Sequence, residues 1–370
     1  YVAASSWFLL YFSGAETPQV PESTLTIWSS DNMAKDAFAQ YQLSHPDVAL
    51  NYVHVDRAEY LYKLKITIAL GEELPDLCVV DNASFGEVMA LGVLEDLEQP
   101  PYGLNREELI DASVPPVCDD AGRVCGVPAF LPISGMAYDR AIALEFLGTD
   151  DPEKVSVAFN SWADILSRGT EFQERMPDQK FFVSLEDPAM MLFGQSAEPY
   201  VVDGVLTGEY RFLSYFKILA ALRDAGLSGS AAQNSPQWYA SFKAGETFFY
   251  PCSLSMIDSG VFHTDSAWGF TLPPSGGFRY GGETWAICAD SDQKELAWDF
   301  IQTVLLSPAG AVYNKNKDNG NFICYEPAYS LEGIRIWWWK TLAARTSAGR
   351  ILKPCCHRYR CGTAENWQQR

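Results

Sequence analysis

The sequence predicts an α/β protein with two lobes, and three observations lead to this fold class. Short β-branched and aromatic segments alternate with helix-periodic segments near the N-terminus, a pattern typical of a parallel sheet covered by helices. The chain has 370 residues, and domains usually contain roughly 100–200 residues. Hydrophobic residues make up 48% and charged residues 20% of the chain, which indicates a globular protein rather than a disordered one.

The N-terminal part alternates strands with helices up to residue 91. Predicted strands cover residues 25–28, 48–55 and 75–80, and predicted helices cover residues 34–44, 57–70 and 85–91. Gly71 lies just past the second helix, where a left-handed glycine commonly ends a helix. Ligands of open α/β sheets bind beyond the carboxyl ends of the strands. The polar residues at these positions are Ser30, Asp31, Asn32, Asp81 and Asn82.

The remainder of the chain continues the mixed pattern. A hairpin is predicted at residues 117–127, and the proline-rich segment 128–138 is interpreted as a crossing between lobes. Further strands are predicted at 180–185, 248–250 and 268–272, and further helices at 161–166, 188–194, 213–225, 237–244, 292–305 and 308–313. Ser161 is the expected N-cap of its helix, with Asp164 at the capping-box position.

The stretch Ser241–Trp285 combines a helix end, two strands and turns that are rich in small polar residues and aromatic rings. Sugar hydroxyls need directed acceptors and donors, and the C–H faces of a sugar ring need flat aromatic surface. This stretch is therefore expected to line a cleft for a polar, ring-bearing ligand.

Charge and motif content exclude several functions. The net charge of −20 disfavours nucleic acid and anionic membrane surfaces. The four histidines are scattered along the sequence, which argues against a histidine-based metal site. Gly-x-Ser-x-Gly, P-loop and His-Glu-x-x-His motifs are absent from the sequence. We therefore expect no cofactor, no metal and no catalysis.

The first 23 residues predict a truncated signal or membrane-proximal segment followed by a linker. Val2–Phe12 is mostly apolar but shorter than the ~20 residues that a bilayer requires. Its length matches the apolar region of a signal peptide, and small residues follow it. The alternative is a short buried segment. Export, with a possible membrane tether at the N-terminus, is expected from this feature.

Residues 331–370 form an atypical basic tail. They hold eight Lys and Arg against two Asp and Glu, and three of the nine cysteines lie within the last sixteen residues. The hypothesis is a frameshift near residues 331–334; the alternative is a genuine basic tail. A zinc site at Cys355, Cys356, His357 and Cys361 is disfavoured because paired zinc ligands are usually spaced C-x₂₋₄-C.

Six segments, in order, resemble the maltose- and oligosaccharide-binding group (family 1) of the extracellular solute-binding proteins of ABC importers. They are Leu25–Asp31, Gly71–Asp81 (G-E-E-L-P-D at its start, similar to the family's G-x-x-P-D), Gly126–Asp139, Ser161–Asp164, Phe242–Thr247, and Gly281–Ile287 followed by Lys294–Ile301. The resemblance covers about residues 24–330. Each motif is weak alone, but their common order and spacing make the similarity specific.

The resemblance implies a periplasmic-binding-protein-like fold with a ligand cleft between two α/β lobes and several interlobe crossings. Lobe one would comprise residues 24–128 plus 267–305, and lobe two residues 132–265 plus 306–330. The implied protein is extracytoplasmic, either periplasmic or at the cell surface. It is expected to act as a monomer that closes on a sugar and delivers it to ABC permease subunits.

The predicted ligand-binding residues combine polar groups with three aromatic rings. The family often places a Trp in the turn after the strand at 247–250, but this turn contains Cys252, Ser253, Leu254 and Ser255 instead. Stacking is therefore assigned to Phe130, Tyr250 or Trp285. The polar candidates are Ser30, Asp31, Asn32, Asp81, Asn82, Ser134, Ser253 and Glu283. For each residue the alternative is an ordinary cap, turn or core position.

Three questions stay open at the level of the sequence. A glycoside hydrolase would need two carboxylates about 5–9.5 Å apart, and acidic residues are abundant. A receptor for a membrane sensor would share the same binding fold. Cys118 and Cys125 flank the hairpin turn and either form a disulfide or remain free thiols.

Overall fold

A computed structural model describes residues 23–131, 134–196, 200–202, 204–233, 235–244, 246–253, 256, 268–317 and 321–334. The expectations for the N-terminal segment, and for the tail from residue 335 onward, lie outside these residues. Within the described ranges, no helix combines the length and the apolar character needed to cross a membrane.

Eleven strands are found in the described part of the chain. They are β1 (Ser23–Ser29), β2 (Val48–His54), β3 (Leu77–Asp81), β4 (Val127–Pro128), β5 (Ser134–Asp139), β6 (Lys180–Phe182), β7 (Val201–Val202), β8 (Val205–Leu206), β9 (Thr247–Ser253), β10 (Trp268–Thr271) and β11 (Glu283–Ile287).

Eleven α-helices accompany the strands in the same ranges. They are α1 (Met33–Tyr41), α2 (Tyr60–Leu70), α3 (Asn82–Met89), α4 (Arg140–Leu147), α5 (Pro152–Ala158), α6 (Trp162–Arg175), α7 (Glu186–Gly194), α8 (Glu209–Asp224), α9 (Pro236–Ala244), α10 (Lys294–Leu305) and α11 (Pro308–Lys317).

The first sheet has the order β2-β1-β3-β11-β4. Strands β2, β1 and β3 run parallel, as the alternation of strands and helices predicts. Strand β11 returns antiparallel, with Glu283 opposite Asp81. Gly71 ends α2 in the left-handed conformation, with φ 65°. The carboxyl ends of β1 and β3 and the start of β11 therefore share one edge.

The second sheet has the order β10-β5-β9-β6. Strand β5 pairs antiparallel with both β9 and β10, and Ser134 lies opposite Ser253. Phe172, Phe181 and Phe248 pack in the core on one side of this sheet, while Trp238 and Phe242 pack in a separate cluster. Gly135 lies so close to β10 that a Cβ there would be 2.6 Å from the Thr271 carbonyl oxygen.

Pairing and packing shift two of the expected lobe boundaries. Strand β10 pairs in the second sheet, and Phe278 packs in that sheet's core, so the return crossing follows residue 278 rather than residue 266. The segment after α10 was expected in lobe two. Instead, the apolar side chains of Ala311, Phe322 and Tyr329 are buried in the core of the first sheet. This segment therefore belongs to lobe one.

The hairpin at residues 117–127 forms with a register that separates its two thiols. Cys118 bridges Val124, whereas the Cys125 N–H donates to the Val117 carbonyl at 2.9 Å. The Cys118 thiol contacts the Val114 carbonyl oxygen and the Cys125 thiol contacts the Arg123 carbonyl oxygen. Both cysteines are free. A register offset of one residue turns side chains to opposite faces, so the two thiols do not face each other.

Candidate functional site

The polar residues predicted at the strand ends of the first sheet come together. The Asn82 N–H donates to the Gly282 carbonyl at 3.0 Å, and its side-chain nitrogen to the Gly281 carbonyl at 3.3 Å. The Thr284 hydroxyl donates to Asn82 Oδ1 at 2.8 Å. Gly281 and Gly282 both have positive φ angles, 67° and 87°, which favour glycine. The turn before β11 is thus fixed against the end of β3.

Asp31 shapes the loop between β1 and α1. Its Oδ1 accepts the Met33 N–H at 2.8 Å, and its own N–H donates to Ser29 Oγ at 3.2 Å. The Tyr52 hydroxyl donates to the Asp31 carbonyl. Ser30 and Asp31 are half-buried, and Asn32 is exposed. These side chains stay near the sheet edge, where a ligand could reach Ser30 and Asn32.

Glu283 is the buried acid of this edge. Glu283 is 6% exposed, and Trp285 Nε1 donates a hydrogen bond to Glu283 Oε1 at 3.0 Å. Burial raises the pKa of Glu283 well above its usual range, and the charge of Asp31 and a hydrogen bond with it act in the same direction. The Trp285 hydrogen bond opposes this shift. The environment therefore favours the protonated acid of Glu283 next to the Asp31 carboxyl.

The Asp81 carboxylate binds both a backbone N–H group and the Arg57 guanidinium. Its Oδ1 caps α3 by accepting the Ala83 N–H at 2.9 Å. Its Oδ2 lies 3.0 Å from Arg57 Nη1, with side-chain exposures of 11% for Asp81 and 65% for Arg57. The exposed guanidinium is consequently the part of this ion pair that a ligand would meet.

Tyr280 connects this edge to the second sheet. Ser134 Oγ donates to the Tyr280 carbonyl at 3.3 Å, and the ring lies 6.1 Å from the ring of Phe278. Burial raises the pKa of the Tyr280 hydroxyl. Tyr239 and Asp187 of the second sheet's side add to the shift, while Arg57 of the first sheet's side lowers it. Charged and titratable groups of both lobes therefore act on the Tyr280 hydroxyl. The Tyr280 side chain is half-buried.

Two of the three predicted stacking rings are core residues instead. Tyr250 and Trp285 are both 0% exposed. Tyr250 packs edge-on against Phe242 and contacts Ser241 Oγ at 3.3 Å, and Trp285 stacks on Phe300 at 5.2 Å. Neither ring offers a face to a ligand in this structure, because strands β9 and β11 are buried on both sides. Phe130 is half-buried and packs against the core of the first sheet.

Ser134 and Ser253 face each other at the start of β5 and the end of β9, and both are buried. This pair marks the edge of the second sheet from which the chain crosses to the first. The predicted polar candidates thus fall into two groups, one at each sheet edge, and Tyr280 lies between them.

Sequence reasoning missed Tyr280, Tyr239, Arg57 and Tyr52. Tyr280 directly precedes Gly281 and Gly282, so a ring beside a glycine pair was the available signal. Arg57 and Tyr52 follow or end a parallel strand, as Asp31 and Asp81 do. The same rule about carboxyl ends of strands would have included them.

A separate pocket of about 470 Å³ lies on the second sheet's side, and no predicted site residue lines it. Its walls are the start of α6, the segment before it and the loop that follows β10; the lining residues are Ser156, Asn160, Ser161, Trp162, Leu272, Pro273, Ser275 and Gly276.

Comparisons with known proteins agree with this architecture. A family model described as "Bacterial extracellular solute-binding protein" matches residues 36–320. No curated protein matches the sequence. Among solved structures, the GacH receptor of Streptomyces glaucescens, solved unliganded and with acarbose, is 18% identical, with a TM-score of 0.67 over 85% of this chain and 83% of that chain.

Two further structures show the same similarity. The sugar-binding protein MalE from Xanthomonas citri is 17% identical, with a TM-score of 0.66 over 87% of this chain and 86% of that chain. UgpB from Mycobacterium tuberculosis, in complex with glycerophosphocholine, is 18% identical, with a TM-score of 0.69 over 85% of this chain and 82% of that chain. The fold is thus the periplasmic-binding-protein-like α/β fold that the sequence predicted.

Proposed function

The chain belongs to the bacterial extracellular solute-binding proteins, and on this basis we propose that it captures a carbohydrate between its two lobes outside the cytoplasm. The observation that carries the proposal is the meeting of two polar sheet edges around Tyr280. One edge holds Asp31, Asn82 and Arg57, and the other begins at Ser134.

The chemistry of the edges favours a neutral, hydroxyl-rich ligand. Asp31 and Asn82 offer carboxylate and amide groups, which bind hydroxyls with directional hydrogen bonds. The half-buried ring of Tyr280 and the 39% exposed ring of Tyr239 replace Tyr250 and Trp285 as stacking surfaces. Similar structures were solved with acarbose and with β-1,6-galactobiose, which supports an oligosaccharide as the ligand.

Delivery to an importer follows from the family and forms the second half of the proposal. Ligand binding favours a closed arrangement of the lobes, and the closed form docks on permease subunits as a monomer. A receptor that passes the bound state to a membrane sensor would use the same cleft. A neighbouring gene for a permease supports delivery, whereas a neighbouring sensor gene without a permease supports the receptor.

Calorimetry against a panel of oligosaccharides tests the ligand class, with glycerophosphocholine as a non-carbohydrate member. Tyr280→Ala is expected to weaken sugar binding about 5- to 10-fold, because a stacked ring contributes on the order of 1–1.5 kcal/mol. Tyr210→Ala, at a residue 88% exposed on α8, is the matched control and should leave affinity unchanged. Saturable binding of glycerophosphocholine and of no sugar would overturn the proposal.

Chromatography of the incubated sugars separates a binder from a glycoside hydrolase. Hydrolysis needs two reachable carboxyl groups, but Glu283 is buried and hydrogen-bonded to Trp285. We expect every sugar to be recovered intact after long incubation. Turnover that Glu283→Gln abolishes would establish the enzyme instead.

A further inference from the structure

Two buried thiols lie next to each other in the first sheet. Cys78 is on β3, and Cys288 directly follows β11. Their Sγ atoms are 3.2 Å apart, and both residues are 0% exposed. Cys78 is opposite Ala286 in the ladder, and the Cys288 N–H donates to the Asp76 carbonyl at 3.1 Å. The two side chains are therefore diagonal neighbours on one face of a regular antiparallel pair.

We propose that Cys78 and Cys288 form a disulfide in the exported protein. Their Sγ separation exceeds the length of an S–S bond, about 2.05 Å, by only about 1.1 Å. Because diagonal neighbours in a sheet are about 7–8 Å apart, side-chain rotation together with a small shift of β3 against β11 would bring the sulfurs to bonding distance. Cys118 and Cys125 differ, since each thiol is turned to a different carbonyl. Disulfides persist outside the cytoplasm, and in this respect the inference rests on the extracytoplasmic location in the proposed function.

The oxidant is a second disulfide, either a small one such as oxidised glutathione or that of a protein oxidase. The thiolate of one cysteine attacks this disulfide, a mixed disulfide forms, and one oxidant sulfur leaves as a thiol. The thiolate of the other cysteine then attacks the mixed disulfide and displaces the second oxidant thiol. Two protein thiols lose two protons and two electrons, and the oxidant disulfide is reduced to two thiols.

Burial determines when this reaction takes place. The hydrogen bond with Cys78 and burial both raise the pKa of Cys288, and a thiol held protonated attacks disulfides slowly. No oxidant can reach the sulfurs once β3 and β11 are packed at 0% exposure. Oxidation therefore takes place while the chain folds, before β3 and β11 are covered.

The disulfide would join β3 to the residue after β11. In sequence, β3 precedes the strands of the second sheet and β11 follows them. The two cysteines are 210 residues apart, and all of β5–β10 lies between them. A long closed loop removes much conformational freedom from the unfolded chain. The oxidised first lobe should therefore unfold at a higher temperature than the reduced one, by on the order of 10 °C.

Peptide mapping tests the link on the full chain. The reduced, unfolded protein is refolded with reduced and oxidised glutathione, its free thiols are alkylated in denaturant, and it is digested without reduction. We expect peptides containing Cys78 and Cys288 to be joined, with a loss of two hydrogens. A Cys118→Ser/Cys125→Ser variant should keep this link, and Cys78→Ser should lose it.

The melting temperature gives a second measurement that needs no variant, since wild-type protein refolded with and without oxidant is compared. Alkylation of both Cys78 and Cys288 in denaturant, after the protein has refolded with glutathione, would overturn the proposal, as would equal melting temperatures. Neither readout involves a ligand. A disulfide without sugar binding would contradict only the proposed function. Sugar binding without the disulfide would contradict only this inference.

Discussion

At the scale of single residues, the environment of a side chain decides its role. Asp187 lies in the first turn of α7 and is 0% exposed. Its Oδ1 accepts Trp238 Nε1–H at 2.9 Å and its Oδ2 accepts the Ser184 N–H at 3.0 Å. Burial raises the pKa of Asp187 to about 7, although these hydrogen bonds oppose the shift. The folded protein therefore binds a proton that the unfolded chain releases in weak acid.

We therefore expect the ionisation of Asp187 to lower the free energy of unfolding as the pH rises. An Asp in the unfolded chain loses its proton near pH 4, while Asp187 in the folded protein keeps it to about pH 7. Its contribution is complete below about pH 4 and is lost as the pH rises to about 7, at roughly 1.4 kcal/mol per pH unit. We expect Asp187→Asn to remove this slope, measured by urea unfolding between pH 4 and 8.

Asp178→Asn, at an exposed residue, is the control for that series and should follow the wild-type slope. The free energies of unfolding of wild type and Asp187→Asn should differ least near pH 4, where Asp187 is protonated and as neutral as the amide, and should diverge as the pH rises to about 7. Parallel curves between pH 4 and 8 would show that Asp187 is ionised in the folded protein across that range.

At the scale of elements, local sequence is decisive where a signal is complete within a few residues. Helix α6 begins with the capping box that the sequence predicted. The Asp164 N–H donates to Ser161 Oγ at 3.1 Å, and the Ser161 N–H donates to Asp164 Oδ2 at 3.0 Å. The hairpin at 117–127 was also located correctly, but its register depends on which backbone groups meet across the turn.

Ser161→Ala should destabilise the protein by about 1 kcal/mol, since the N–H of Asp164 loses its side-chain acceptor. Thr170→Ala on the exposed side of the same helix is the control. It should have little effect or stabilise slightly, because Ala has the higher helix propensity. Chemical denaturation gives both values. Equal effects of the two substitutions would mean that the cap contributes nothing.

At the scale of the whole molecule, two crossings between the sheets are seen in the part of the chain that the structure describes. The first enters β5 at Ser134, and the second passes Tyr280 on its way to β11. Because the polar edges of both sheets lie at these crossings, rotation of one lobe against the other would change the distance between the edges. Under the proposed function, lobe closure is the motion that a ligand at this site would bias.

Small-angle scattering should show a smaller radius of gyration when a saturating sugar is added. The reason is that contacts to both edges form together only when the edges approach each other. Tyr280→Ala, measured with the same sugar at the same concentration, should compact less. A bound sugar, verified by calorimetry, that leaves the wild-type scattering curve unchanged would contradict closure.

The sequence by itself determined most of the elements, but not α4, α5, β7 or β8, and it determined the polar edge of the first sheet. Helical and strand periods, Gly71 after α2 and Ser161 before α6 are local signals. Polar residues after β1 and β3 meet because parallel strands end at one edge. For the same reason Asp31, Asp81 and Asn82 were predictable as neighbours.

Only the tertiary structure decided which aromatic rings remain accessible and which distant residues meet. Trp285 and Tyr250 have the residue types of a stacking surface, yet both are fully buried. Ala311, Phe322 and Tyr329 pack on the first sheet, and Cys78 contacts Cys288. Burial and contact between residues far apart in sequence depend on how whole elements pack, and a local pattern of residues does not carry that information.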